Sequence, residues 1–129
     1  MALAATLLLA GCTAQPTPPS VPPAEPSTQD CGTLILSQGQ KVPASAVQCV
    51  IEAAGARQPA RLAITRPTTE GDPITTNYAV TVDGQVEVTT DARADRFGSG
   101  HVERQTCTGP TVQDAQWLSF ATCSSPELV

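Results

Sequence analysis

The sequence predicts a small α+β domain, with one N-terminal helix packed on an antiparallel sheet of four or five strands and two disulfides. Three observations predict it. Val47, Val50, Ile51 and Ala54 recur at helical spacing. Ile74, Thr76, Tyr78, Val80 and Val82 alternate with the period of a strand. Cys31, Cys49, Cys107 and Cys123 form an even set within residues 31–129, the composition of a stapled exported domain.

Composition narrows the classes. The chain has 129 residues, 15% charged and 3% aromatic, with a net charge of −5. That length excludes a large multidomain enzyme, and the composition excludes a coiled coil and a polytopic membrane protein. An acidic chain with seven Lys and Arg and no basic run excludes nucleic acid as a partner.

The chain opens with Ala2 to Ala10, an uncharged run. As a helix it rises only about 14 Å, too short for a bilayer core of about 30 Å. It suits the apolar region of a signal peptide spanning residues 1–11. No Lys or Arg precedes the run, which predicts a true start further upstream. Residues 13–30 contain no Phe, Trp, Tyr, Leu or Ile, and six of the twelve prolines lie between 16 and 26. Such a segment buries too little surface to offset its ordering entropy and favours extended polyproline backbone. It reads as a tether reaching roughly 50 Å, with Ser and Thr beside Pro as candidate O-glycan acceptors. A Pro-rich ligand for another protein is the rival reading.

In the domain, Pro43 suits a first helical turn and Gly55 a stop, so a helix is predicted over 43–54. Leu62 and Ile64 mark a strand over 61–65, and 74–82 forms the clearest strand. Asp83-Gly84 signals a hairpin. A two-residue loop would set Val82 against Gln85 and mix polar with apolar on one face. A three-residue loop, 83–85, sets Val82 against Val86 and Val80 against Val88, and keeps that face apolar. Residues 102–107 read as a weaker strand, and 115–122 as another strand or a short helix. The four cysteines allow three pairings. Cys31–Cys49 and Cys107–Cys123 close the short loops and are favoured, each worth about 3 kcal/mol.

Three stretches carry candidate chemistry. Thr68 to Ile74 holds Glu70 and Asp72, whose carboxylates could bind a cation or share acid and base roles. Its Gly, Asp and Pro equally make an ordinary turn, the favoured reading. Thr90 to His101 alternates acid and base before Gly-Ser-Gly and the only His. Arg93 stands where a calcium loop needs an oxygen, and the Ser99–His101 pair lacks an evident orienting group. The simpler expectation is a solvated loop in which Asp91, Arg93, Asp95 and Arg96 pair locally. Trp117 and Phe120, with Tyr78 and Phe97, are expected to fill the core or a small groove. A zinc or redox-cysteine centre is not expected, because no CxxC occurs and His101 stands alone. No cofactor is expected. Glu70, Asp72, Asp95, Arg96 and His101 are therefore the candidate binding surface, with no catalytic residue assigned.

Leu9-Ala10-Gly11-Cys12, placed behind an apolar run, resembles the lipobox of bacterial lipoproteins. The resemblance implies a diacylglycerol thioether on Cys12, cleavage before it, and a domain held outside the bacterial membrane. There a protein of the cell envelope is the expected partner. Thr69-Glu70-Gly71-Asp72-Pro73-Ile74, Tyr78, Asp83-Gly84, Arg96-Phe97-Gly98-Ser99-Gly100 and Cys107 look like an uncharacterised family of small secreted bacterial lipoproteins. That likeness implies fold and location, and carries no activity with it. Pro43, Cys49, Val80 to Gly84 and Cys107 more weakly resemble the subtilisin-inhibitor family. It would imply a bait loop at 66–75, although no Cys braces that segment. A non-catalytic, lipid-anchored binding domain is thus expected first. A protease inhibitor comes second, and a small hydrolase using Glu70, Asp72 or His101 third.

Overall fold

The computed structural model describes residues 11–23, 26–114 and 117–129. The predicted signal-peptide run Ala2–Ala10 lies outside them. Residues 11–23 and 26–28 are exposed and form no helix or strand. The ordered elements are β1 (Gln29–Ile35), α1 (Ala44–Ala56), β2 (Ala60–Pro67), β3 (Pro73–Val80), β4 (Val86–Asp91), β5 (Val102–Gln113), β6 (Trp117–Cys123) and β7 (Glu127–Leu128). They form one seven-stranded sheet in the order β1-β2-β3-β4-β5-β6, with β7 on β5.

The α+β class holds, but two parts of the prediction need correction. The sheet has seven strands rather than four or five, and it is mixed: β1 runs parallel to β2. Parallel neighbours cannot be joined by a tight turn, and α1 supplies the crossover between them. The β1 sequence hides its strand because Leu34-Ile35-Leu36 does not alternate and Gly32 interrupts it at φ +122 with a register shift.

Helix α1 lays Ala46, Val47, Val50, Ala53 and Ala54 on the sheet, against Leu62, Val86 and Cys107. The helix runs past the predicted stop. Gly55 remains helical, and Arg57 takes the left-handed position at φ +53. The N–H groups of Arg57 and Gln58 donate to the carbonyls of Ala54 and Ala53, closing the helix end.

The β3–β4 register differs from the expected one. Val80 faces Val86 and Tyr78 faces Val88. The Thr81 and Gly84 N–H groups donate to the carbonyls of Gln85 and Thr81, so Val82 sits on the turn and is exposed. The pairing slips by two residues, and a slip of two leaves every side chain on its own face. Burial of Tyr78, Val80, Val86 and Val88 is what the sequence pattern demanded, and it is met.

Strand β5 is twice as long as the predicted 102–107. Its first half pairs with β4 and its second half with β6, where Cys107 faces Cys123. Phe120 of β6 stacks on Tyr78 of β3 with ring centroids 6.4 Å apart, so the β5–β6 hairpin covers the same sheet face as α1. Both disulfides are those favoured from loop length, Cys31–Cys49 and Cys107–Cys123. Phe97 departs from expectation: it is 73% exposed and lies outside the core.

Candidate functional site

The sequence-derived candidates divide. The 68–72 turn joins β2 to β3, with Thr68 N–H donating to the Asp72 carbonyl and Asp72 N–H to Thr68 Oγ1. This directs the Asp72 carboxylate toward the 92–101 loop. There it accepts from the Arg96 backbone N–H at 3.1 Å and from Nε at 3.1 and 3.2 Å, and it ion-pairs with the guanidinium at 3.1 Å. These bonds hold the Asp72 carboxyl below the usual carboxylate range. The two loops do meet, through an interaction that spans 24 residues and that local pairing could not anticipate.

The remaining candidates do not join this pair among the described residues. Asp95 accepts from the Phe97 N–H within its own loop, and Gly98 is pressed so closely on its carboxylate that a Cβ has no room. Asp91 binds Arg93 as expected, which lowers its pKa to about 2. Glu70 stands exposed on the turn. His101 is exposed, and its link to Ser99 runs from the His101 backbone N–H to Oγ, which leaves the imidazole out of that bond. No group of three or more His, Cys, Asp or Glu among the described residues could hold a metal ion. The Asp72–Arg96 pair thus clasps the two loops together.

A second site needs the cross-strand register to be seen. Opposite the helix, the open sheet face forms a grid. One row runs Asp30, Arg61, Ala79, Glu87, Thr106, and the next Thr33, Ala63, Asn77, Thr89, Arg104. Ala63 and Ala79 are short, whereas Arg61 and Glu87 are long. The result is a trough of about 650 Å³, lined by Asp30, Thr33, Arg61, Asn77, Glu87 and Thr89 among others. Neither Arg61 nor Glu87 has an ion-pair partner among the described residues. The period-two alternation of Ile74, Thr76, Tyr78, Val80 and Val82 leaves Thr75, Asn77, Ala79 and Thr81 on the opposite side. It could not show that strand pairing sets them beside Arg61, Glu87 and Thr89.

No family model, curated protein or solved structure matches this chain. The bait-loop segment 66–75 is a hairpin: Arg66 pairs with Ile74 and Pro67 with Pro73, leaving a five-residue tip. A protease cleft takes an extended strand whose backbone groups are free to pair with the enzyme, and here the flanks already pair with each other. No helix among the described residues is long and apolar enough to cross a membrane.

Proposed function

We propose that this chain is a non-catalytic binding domain, anchored by lipid on Cys12 to the outer face of a bacterial membrane, whose open sheet face takes a protein partner of the cell envelope. The observation that carries the binding role is the uncovered trough. A sheet packed on one face alone leaves the other for solvent or a partner. This one offers both signs of charge without neutralising them internally. A trough that carries Arg61 and Glu87, neither ion-paired among the described residues, beside Asp30 and Asn77 fits a protein surface of complementary charge. The hydrolase alternative, which would use Glu70, Asp72 or His101, loses support because Asp72 is taken up by Arg96 of the neighbouring loop, and Glu70 and His101 do not join it among the described residues.

The anchor rests on Leu9-Ala10-Gly11-Cys12 and the exposed, structureless segment behind it. Mature protein should carry a diacylglyceryl mass on Cys12, and Cys12→Ser should move it from the membrane to the soluble fraction. An unchanged membrane fraction in that variant would overturn the anchor. For the surface, a photoreactive side chain placed at Asn77 should give a discrete crosslink to an envelope protein, lost on Arg61→Glu. The same probe at Gln48, on the exposed side of α1, should give none. Equal crosslinking from both positions would remove the trough from the proposal.

A further inference from the structure

A different cleft lies at the end of the sheet, on the side that carries the helix. Arg66 at the end of β2 places its guanidinium carbon 4.2 Å from the centroid of the Trp117 ring. The cleft beside them measures about 260 Å³ and is bordered by the loop carrying Gln38, Gln40 and Lys41. We propose that this cleft binds a small ligand through an oxyanion group, a carboxylate or a phosphate, held by Arg66 and Lys41.

Four features carry the assignment. First, among the described residues the cleft is lined by two cations, Lys41 and Arg66, and by no carboxylate, in a chain whose net charge is −5. Second, Arg66 has no ion-pair partner among the described residues, the residue is half-buried, and its guanidinium lies over the indole. A guanidinium stacked on one face keeps its N–H donors in the ring plane, along its edges, where they can meet two oxygens side by side. Third, the loop is braced. Gln38 Nε2 donates to the Thr68 carbonyl, and Gln40 Oε1 accepts from the Ser37 N–H at 3.0 Å. The site is thus set before a ligand arrives, which lowers the ordering cost of binding. Fourth, Arg66 lies within electrostatic reach of the core: burial raises the Tyr78 phenol pKa, and the Arg66 charge opposes that push. The cleft faces away from the trough, so this proposal stands whatever the trough binds.

Trp117 is the only tryptophan and forms one wall, so its fluorescence reports occupancy directly. The full chain should be titrated at fixed ionic strength with inorganic phosphate, acetate and chloride. Phosphate or acetate should give a saturable change in emission that chloride does not. Saturation by phosphate alone, or by acetate alone, names the preferred oxyanion. Lys41→Gln leaves the Arg66–Trp117 stack in place and should weaken binding about tenfold, and Arg66→Gln at least as much. Arg61→Gln, on the opposite face, should leave the curve unchanged. Identical responses to all three anions, or full affinity in both Lys41→Gln and Arg66→Gln, would overturn the proposal.

Discussion

Asp72 is charged, 8% exposed, and answered by one arginine from a loop distant in sequence. Its neighbour in composition, Asp91, is paired just as closely with Arg93 on the surface. Both carboxyls titrate below the usual aspartate range, each chiefly through the side-chain hydrogen bond from its arginine. The unfolded chain takes up a proton near pH 4, whereas the folded carboxyl resists it to lower pH. The stability from these pairs is therefore fully present above pH 4 and lost as the pH falls through the folded values. For Asp91 that window runs down to about 2. Asp72→Asn keeps the shape but not the charge. It should unfold at lower urea than the parent at pH 7, and the two midpoints should converge as the pH is lowered from about 4. A constant gap from pH 7 to pH 2 would mean that the clasp acts by shape alone. The equivalent change at Asp91 should matter less at neutral pH, because an exposed pair is screened by solvent.

Between elements, the close approach of the β3–β4 turn to the end of α1 is the tightest demand on sequence. Gly84 stands at φ +80, and a Cβ there would lie 2.6 Å from the Ala54 carbonyl oxygen. Gly100 has a similar φ of +70 but open space around it. Both glycines relieve backbone strain, and Gly84 alone also relieves a clash. Gly100→Ala should cost about 1 kcal/mol, and Gly84→Ala roughly 2–4 kcal/mol, read as urea midpoints at constant slope. Equal costs would show that the turn can retreat from the helix. The same contact shows what was legible in the sequence. Asp83-Gly84 marked the hairpin, and period-two burial fixed which face is apolar. Helical spacing placed α1 to within a few residues. What pattern could not reach was set by distance along the chain. The parallel β1 shows no alternation, the register slipped by two and kept Val80, Val86 and Val88 buried while leaving Val82 exposed on the turn, and Arg57 rather than Gly55 took the left-handed position. Of the candidate site, Asp72 and Arg96 were named but not paired with each other. The trough and the Arg66–Trp117 cleft depend on neighbours distant in the chain, 12 residues apart for Asn77 and Thr89 and 51 for Arg66 and Trp117.

At the scale of the whole molecule, two disulfides of nearly equal span do different jobs. They separate their cysteines by 18 and 16 residues, so loop-closure entropy assigns each about 3 kcal/mol. Cys107–Cys123 joins strands that already face each other in register, with Ser124 N–H adding a bond to the Thr106 carbonyl. Cys31–Cys49 instead ties β1 to α1. Strand β1 is an edge strand, bonded to β2 on one side only and interrupted by its register shift. It is also the first strand after the Pro-rich segment, so if that segment is the proposed tether, a pull along it would reach Cys31 two residues after Gln29. Without the first bridge, β1 should open while the rest of the sheet stays closed. Without the second, the β5–β6 pairing should persist until the whole domain unfolds. Hydrogen exchange on Cys31→Ser/Cys49→Ser should thus show lost protection at the Leu36 amide, which donates to Thr65, with β3–β4 amides protected nearly to the global limit. In Cys107→Ser/Cys123→Ser the loss should be uniform and close to the fall in global stability. If both variants lose protection uniformly, β1 is held by the sheet alone. The first disulfide then adds only chain entropy, and its place beside the tether has no mechanical meaning.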